Sequence, residues 1–203
     1  RVEGGPRVSY GLKWSGTGAK GGNASFFLGQ SYRAKADDTF DEGSGLEDNF
    51  SDIVGRLKIS PGQLIDFTYR TRIDKNDFSP KRNEVRLRAG PPALRLTSNY
   101  VFFDRQKNSE FSGREEIKTS VATQLNRFWR GNFNSRYDLE ENGGLRSIGL
   151  QLTYECDCFQ FSAAITRTFY EDRDVKPSDA ILFRLTFKTL GNVQTGFSRT
   201  GGP

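Results

Sequence analysis

Apolar and polar residues alternate along most of this chain. Between Ala180 and Leu190, Phe183, Leu185 and Phe187 fall on one side, and Arg184, Thr186 and Lys188 on the other. Successive side chains of a β-strand point to opposite faces, so each such stretch has one apolar and one polar face. The split recurs over 7–14, 23–33, 52–60, 63–73, 81–89, 94–103, 114–124, 127–138, 145–155, 158–170 and 180–190. It predicts an all-β chain of about eleven antiparallel strands. Many run to about ten residues, the length that crosses a bilayer when tilted, whereas ordinary soluble strands average about five or six.

The two predicted faces differ in charge. One carries Phe67, Leu87, Leu96, Phe133, Leu150, Phe161 and their like, with Arg167 as its main charged exception close to a strand end. Tyr and Trp gather near strand ends, as in the aromatic girdles of membrane barrels. The other face carries Arg70, Arg86, Arg88, Arg95, Arg130, Arg136, Arg146 and Arg184. With its further residues it amounts to 16 basic and 4 acidic side chains. Two readings of that face stay open: the solvated side of a soluble sheet, or the wall of a water-filled lumen whose field favours anions. A sheet this large must bury its apolar face in something, and lipid needs no second protein layer.

Connection lengths alternate too. Short turns are expected near Pro61, Pro91, Leu125 and Asp157, and longer polar links over 34–51, 74–80, 104–113, 139–144 and 171–179. Short turns at one end and long loops at the other are the habit of outer-membrane barrels. The longest link carries Asp37, Asp38, Asp41, Glu42, Glu47 and Asp48. It reads as a solvated, mobile loop, because its acidic spacing does not match an EF-hand. Eleven is an odd count where single-chain bacterial barrels have an even one, which leads us to expect further strands before Arg1.

Composition removes several functions. The 203 residues contain no His, which excludes most metal sites and any Ser–His pairing, so no enzyme and no cofactor is expected. No run of 18 apolar residues is present, which excludes a transmembrane helix but not a barrel. The net charge of +5 suits an anionic lipid headgroup or nucleic acid, or has no specific partner. The chain begins at Arg1, contains no Met and shows no signal peptide, which reads as a piece of a longer protein.

The only cysteines are Cys156 and Cys158, in Tyr154-Glu155-Cys156-Asp157-Cys158-Phe159 at a predicted tight turn. A C-x-C pair without further thiols or His is a poor metal site and a strained mutual disulfide. This segment, and Pro177-Ser178-Asp179-Ala180-Ile181-Leu182-Phe183-Arg184-Leu185-Thr186-Phe187-Lys188-Thr189-Leu190-Gly191, resemble the C-terminal end of the LptD family of outer-membrane lipopolysaccharide-assembly proteins. The resemblance is most specific over 145–191. Asp157 separates the cysteines where familiar members have them adjacent, and Leu182 stands where the family often has glycine.

What the resemblance implies can be stated as expectations. Residues 1–191 would be the C-terminal part of a transmembrane β-barrel of about 26 strands, and 192–203 a periplasmic tail. Function would be lipopolysaccharide assembly at the cell surface of a Gram-negative outer membrane, through a barrel lumen and a lateral gate. Partners would be lipopolysaccharide, outer-membrane lipid, an LptE-like lipoprotein plug and an LptA-like periplasmic bridge, and not nucleic acid. Cys156 and Cys158 would form disulfides to an N-terminal domain outside this chain. Ile181, Leu182, Phe183, Arg184, Leu185, Thr186 and Phe187 would form the lateral-gate strand, with a neighbour on one side only. The alternatives are a general anion-favouring porin and a soluble carbohydrate-binding β-sandwich.

Overall fold

The computed structural model describes residues 5–19, 21–35, 40, 43–105, 113–141, 143–169, 176–189 and 191–200. Among these no helix is present. Twelve strands follow one another: β1 (Arg7–Thr17), β2 (Asn23–Arg33), β3 (Ile53–Ser60), β4 (Ile65–Ile73), β5 (Pro80–Ala89), β6 (Leu94–Phe103), β7 (Arg114–Gln124), β8 (Trp129–Asp138), β9 (Gly144–Glu155), β10 (Phe159–Thr168), β11 (Ser178–Phe187) and β12 (Gly191–Thr200). They form one sheet in chain order. Such a meander, each strand paired with its chain neighbours, is the wall topology of an up-and-down barrel.

The count corrects the expectation of eleven. Residues 191–200 are the twelfth strand, paired antiparallel with β11 from Ser178↔Thr200 to Phe187↔Gly191. The reading of 192–203 as a tail therefore fails over 192–200, while 201–203 lie outside the described residues. Period two continues there as Val193, Thr195 and Phe197 against Asn192, Gln194 and Ser198. A low apolar density hid it. The same pairing overturns the bare-edge expectation for 181–187, because β11 is paired with both β10 and β12.

The chain divides into two compact units, Arg1–Leu87 with Asn99–Glu115, and Arg88–Ser98 with Glu116–Pro203. In the first, register aligns like with like. Trp14 pairs with Phe26, Phe26 with Leu57 and Leu57 with Tyr69. The next row, on the opposite face, reads Lys13, Phe27, Arg56 and Arg70. A slip of one residue would exchange the faces, so the pattern fixes the register. Phe27 departs from the expected separation. Its ring lies across Gly29, where an added Cβ would come within 2.7 Å of ring Cζ. In the second unit one row runs Phe133, Leu150, Ile165, Ile181 and Phe197. On the opposite face Arg130, Thr153, Ser162, Arg184 and Gln194 form a row.

Connection ends follow the expected rhythm within each unit. The amide of Asp104 donates to Lys81 O at 3.0 Å, joining the link after β6 to the start of β5. Gln124 N donates to Ala93 O at 2.8 Å, joining the turn before β6 to the end of β7. Ser79 and Pro91 lie beyond opposite ends of β5.

Burial is inverted relative to a water-soluble domain. No apolar side chain among the described residues is buried, whereas Arg33, Asp52, Glu116, Thr153 and Ser162 are. Trp14, Leu12, Leu150, Ile165 and Phe197 stand exposed. A soluble chain of this length removes most of its large apolar side chains from water. A sandwich would need a second sheet over this face, and the single sheet supplies none. A membrane strand shows the observed pattern, with its backbone paired laterally and its apolar side chains left for lipid.

Candidate functional site

The site is the basic sheet face, built in each unit by alternation that sends every second residue to the same side. In the first unit Glu84 sits between two cations. Arg70 Nη1 is 3.3 Å from its Oε2, and Arg82 also pairs with it. Arg86 Nε donates to Asn99 Oδ1 at 2.9 Å. Phe27, Val54, Arg56, Arg70, Arg72 and Arg82 line a hollow of about 440 Å³ with Glu84 at its edge. Arg70 and Arg82 share Glu84 and Arg72 is paired with Asp52, so with Arg56 the hollow keeps positive charge over an apolar floor.

The second unit repeats the arrangement. Glu116, 6% exposed, lies 3.0 Å from Lys118 Nζ and 2.8 Å from Arg136 Nε. Glu155 lies 3.0 Å from Lys188 Nζ and also pairs with Arg130. Arg146 pairs with Asp138, beside the irregularity at Arg136/Tyr137 that turns Arg146 toward this face. Arg184 donates to Gln194 Oε1 from Nε and Nη2 at 3.1 and 3.0 Å. Glu84, Glu116 and Glu155 thus each serve two bases, so each trio keeps a net positive charge while its guanidiniums or ammonium are held in place. The more open pairs at Glu84 and Glu155 add little stability singly; their effect is to orient the cations. A guanidinium offers a planar fork of donors matched to phosphate and carboxylate oxygens.

All eight arginines expected on this face occupy strands. Arg70 and Arg86 belong to the first unit, and Arg88, Arg95, Arg130, Arg136, Arg146 and Arg184 to the second. The sequence reading overlooked Arg82, although it continues the Glu84–Arg86–Arg88 alternation. It also overlooked Glu155 as the partner of Lys188 and Arg130, which only the pairing of distant strands brings together.

The long link before β3 is more ordered than expected. Asp37, Asp38, Asp41 and Glu42 lie outside the described residues, but 43–52 are tied down, which corrects the mobile reading for that half. Arg72 donates to the carbonyls of Ser44 and Gly43, Asn49 Nδ2 to Arg33 O at 2.9 Å, and Lys75 Nζ to Asp48 Oδ2 at 2.6 Å. Burial raises the Glu47 carboxyl, but hydrogen bonds from its own backbone, Ser44, Gly43 and Leu46 outweigh it and hold the pKa below the ordinary value. Burial pushes Asp52 up against the opposing charge of Arg72, while the Asp48 hydrogen bond raises Lys75. Among the described residues no cluster of acidic or thiol groups could hold a metal ion.

At the turn end of the second unit, Cys156 and Cys158 are both free thiols. The amide of Cys156 donates to Phe159 O at 3.0 Å. A hollow of about 560 Å³ beside Cys156 is lined by Arg127, Arg130, Glu155, Asp157 and Lys188 among others. On the apolar side of the same turn, Tyr154 packs against Phe128, Trp129 and Phe159 with ring centroids 5.8, 5.1 and 5.7 Å apart. Aromatic clusters at strand ends form the girdles of membrane barrels.

The sequence model of a family described as "LptD: LPS transport system D" matches residues 1–129. The chain belongs to the LptD family. The match runs from β1 to the first residue of β8, whereas the motifs that first carried the resemblance lie in 145–191. LptD-family proteins transport and assemble lipopolysaccharide in the outer membrane of Gram-negative bacteria. The twelve-stranded antiparallel sheet, with its uncovered apolar face, is consistent with a barrel wall of that family. No curated protein and no solved structure matches the chain.

Proposed function

We propose that this chain forms part of the conduit wall through which lipopolysaccharide passes to the cell surface, its basic face lining the lumen and its apolar face meeting lipid. The observation that carries the reading is the division of charge. Arginines oriented by shared carboxylates occupy one face, and the other leaves its aromatic and aliphatic side chains uncovered. Lipopolysaccharide bears phosphate and carboxylate groups on its inner sugars. An array of forked donors with net positive charge holds such groups weakly at several points and lets them move on.

In this reading lipopolysaccharide arrives over an LptA-like bridge, an LptE-like lipoprotein occupies the lumen, and a lateral gate releases the lipid. The gate is assigned to the β11–β12 end of the sheet, which holds the expected gate residues Ile181–Phe187 and where β12 is the edge strand among the described residues. An openable seam must be a weak ladder, and β12 with Gly191 and Gly196 has little side-chain mass to hold a partner. Cys156 and Cys158 tether the turn end to a soluble domain outside this chain. The protein acts as a transporter and catalyses no chemical step.

Engineered cysteines locking the free edge of β12 to the first barrel strand of the full-length protein test the gate. Locking should block surface delivery while heat-modifiable mobility, the mark of a folded barrel, persists. Normal delivery through a locked seam would refute it.

A further inference from the structure

The apolar face of the second unit carries one row of charge. Arg167 Nε lies 3.4 Å from Asp179 Oδ1, and Asp179 stands directly opposite Arg199 in the β11–β12 ladder. Alternation puts all three on the side of Ile165, Ile181 and Phe197, not on the arginine face. The row sits at the ends of β10 and β11 that the 169–177 link joins. Both ion-pair partners are open, Arg167 at 60% and Asp179 at 57%. Two cations flank one anion, so the row is net positive.

Directly below lies apolar surface in three registered rows: Ile165, Ile181 and Phe197; Ala163, Phe183 and Thr195; Phe161, Leu185 and Val193. Two residues along a strand advance about 7 Å, so the third row lies about 20 Å along the strand from the charged row. At a tilt of about 45° that is about 14 Å of depth, close to half of a hydrocarbon core about 30 Å thick. A cationic row above one leaflet's depth of apolar side chains has the dimensions of a single lipid.

We propose that Arg167 and Arg199 form a headgroup site for a lipid bearing a phosphate monoester, seated on this face with its acyl chains over the rows beneath. The inference rests on the membrane reading above but uses the face opposite the conduit. Arg167 is preset for it, its guanidinium 5.3 Å from the centroid of the Phe169 ring, which limits its freedom before the phosphate arrives. Asp179 spaces the two arginines and competes with the phosphate for them. That competition gives opposite signs to neighbouring substitutions. Loss of either arginine weakens lipid retention, and loss of Asp179 strengthens it.

Native mass spectrometry of the detergent-purified full-length protein with added phosphatidic acid or phosphatidylcholine provides the test. The unmodified protein should retain phosphatidic acid at least about threefold better than phosphatidylcholine. Arg167→Gln and Arg199→Gln should each bring the two lipids level, and Asp179→Asn should widen the preference. Equal retention of both lipids by the unmodified protein would overturn the site. So would Asp179→Asn and Arg167→Gln shifting retention in the same direction, as a purely structural ion pair would require. Inorganic phosphate displacing phosphatidic acid at equal molar excess would remove the acyl part of the proposal. A protein that stays soluble without detergent sinks the membrane reading itself, whereas one that inserts but shows no lipid preference sinks only this site.

Discussion

Arg56 and Arg70 stand directly opposite each other in the β3–β4 ladder. Like charges in that position destabilise a sheet by about 0.2–1 kcal/mol, and Glu84 approaches Arg70 at 3.3 Å. A stable fold gains nothing from such a pair, whereas an anion passing over it gains two adjacent forks. Arg56→Gln should therefore raise the unfolding free energy of the barrel slightly, by about 0.2–1 kcal/mol, and slow lipopolysaccharide delivery. Urea unfolding in detergent micelles and surface lipopolysaccharide labelling check the two halves. A variant that is both less stable and fully active would count against a functional role for the pair.

Much of the fold was legible because alternation over long strands gives many independent readings of one face. The limits of β2, β6 and β7 agree with the sequence, and the eight arginines reach the strands expected of them. What escaped has physical causes. β12 has few apolar residues to mark its face. Phe27 follows the backbone period rather than hydropathy, and the glycines beside its ring, Gly29 above all, show why it is tolerated there. Pairs such as Glu155–Lys188 depend on which strands become neighbours. The anchored half of the 34–51 link depends on Arg72 and Lys75, both beyond the end of β3.

Glu116 tests whether the shared carboxylates organise the basic face. Glu116→Gln keeps the shape but leaves Lys118 and Arg136 without their common counter-charge. Glu116 is buried, so the cost should be about 1–3 kcal/mol. Glu116→Gln combined with Arg136→Gln should recover part of it, and a double-mutant cycle on unfolding midpoints measures the coupling. Additive losses would mean that the bridge seen here contributes nothing.

The fit of Phe27 over Gly29 predicts a steric asymmetry. Gly29→Leu forces the Phe27 ring from its seat and should cost about 1–3 kcal/mol by overpacking. Phe27→Ala in the same chain should restore most of that loss by vacating the space. If the double variant is as unstable as Gly29→Leu alone, the strain lies in the backbone and not in the ring.

Order in the 43–52 segment should depend on acid. Glu47 has a folded pKa below its ordinary value, so its stabilisation is present above the unfolded pKa and is lost as pH falls through the folded one. Asp52 is raised and has the opposite sign: its contribution is present at low pH and lost as pH rises through its folded pKa, so it partly offsets the loss. Opening should begin below about pH 4.5, the ordinary glutamate range. Hydrogen exchange at the Leu46 amide, which donates to Glu47 Oε2 at 2.9 Å, reads it directly. Glu47→Gln should lower the protection of that amide at neutral pH, leaving it chiefly its longer bond to Ser44 Oγ at 3.2 Å. Protection unchanged from pH 7 to pH 3, after correction for intrinsic exchange, would remove Glu47 from the anchor.

Phe133 and Asn134 are adjacent in β8 and lie on opposite faces, Phe133 beside Leu150 and Asn134 beside Gly149. Membrane insertion distinguishes them sharply. An arginine at mid-strand on a lipid-facing side costs about 2–4 kcal/mol. On a water-filled side among Arg130 and Arg136 it adds only mild repulsion. Phe133→Arg in the full-length protein should lower assembled barrel in outer-membrane fractions severalfold, while Asn134→Arg should assemble nearly as well as the parent chain. Heat-modifiable mobility of membrane fractions measures both. Equal assembly of the two variants would mean that the Phe133 face does not meet lipid, and the division of charge would then need another explanation.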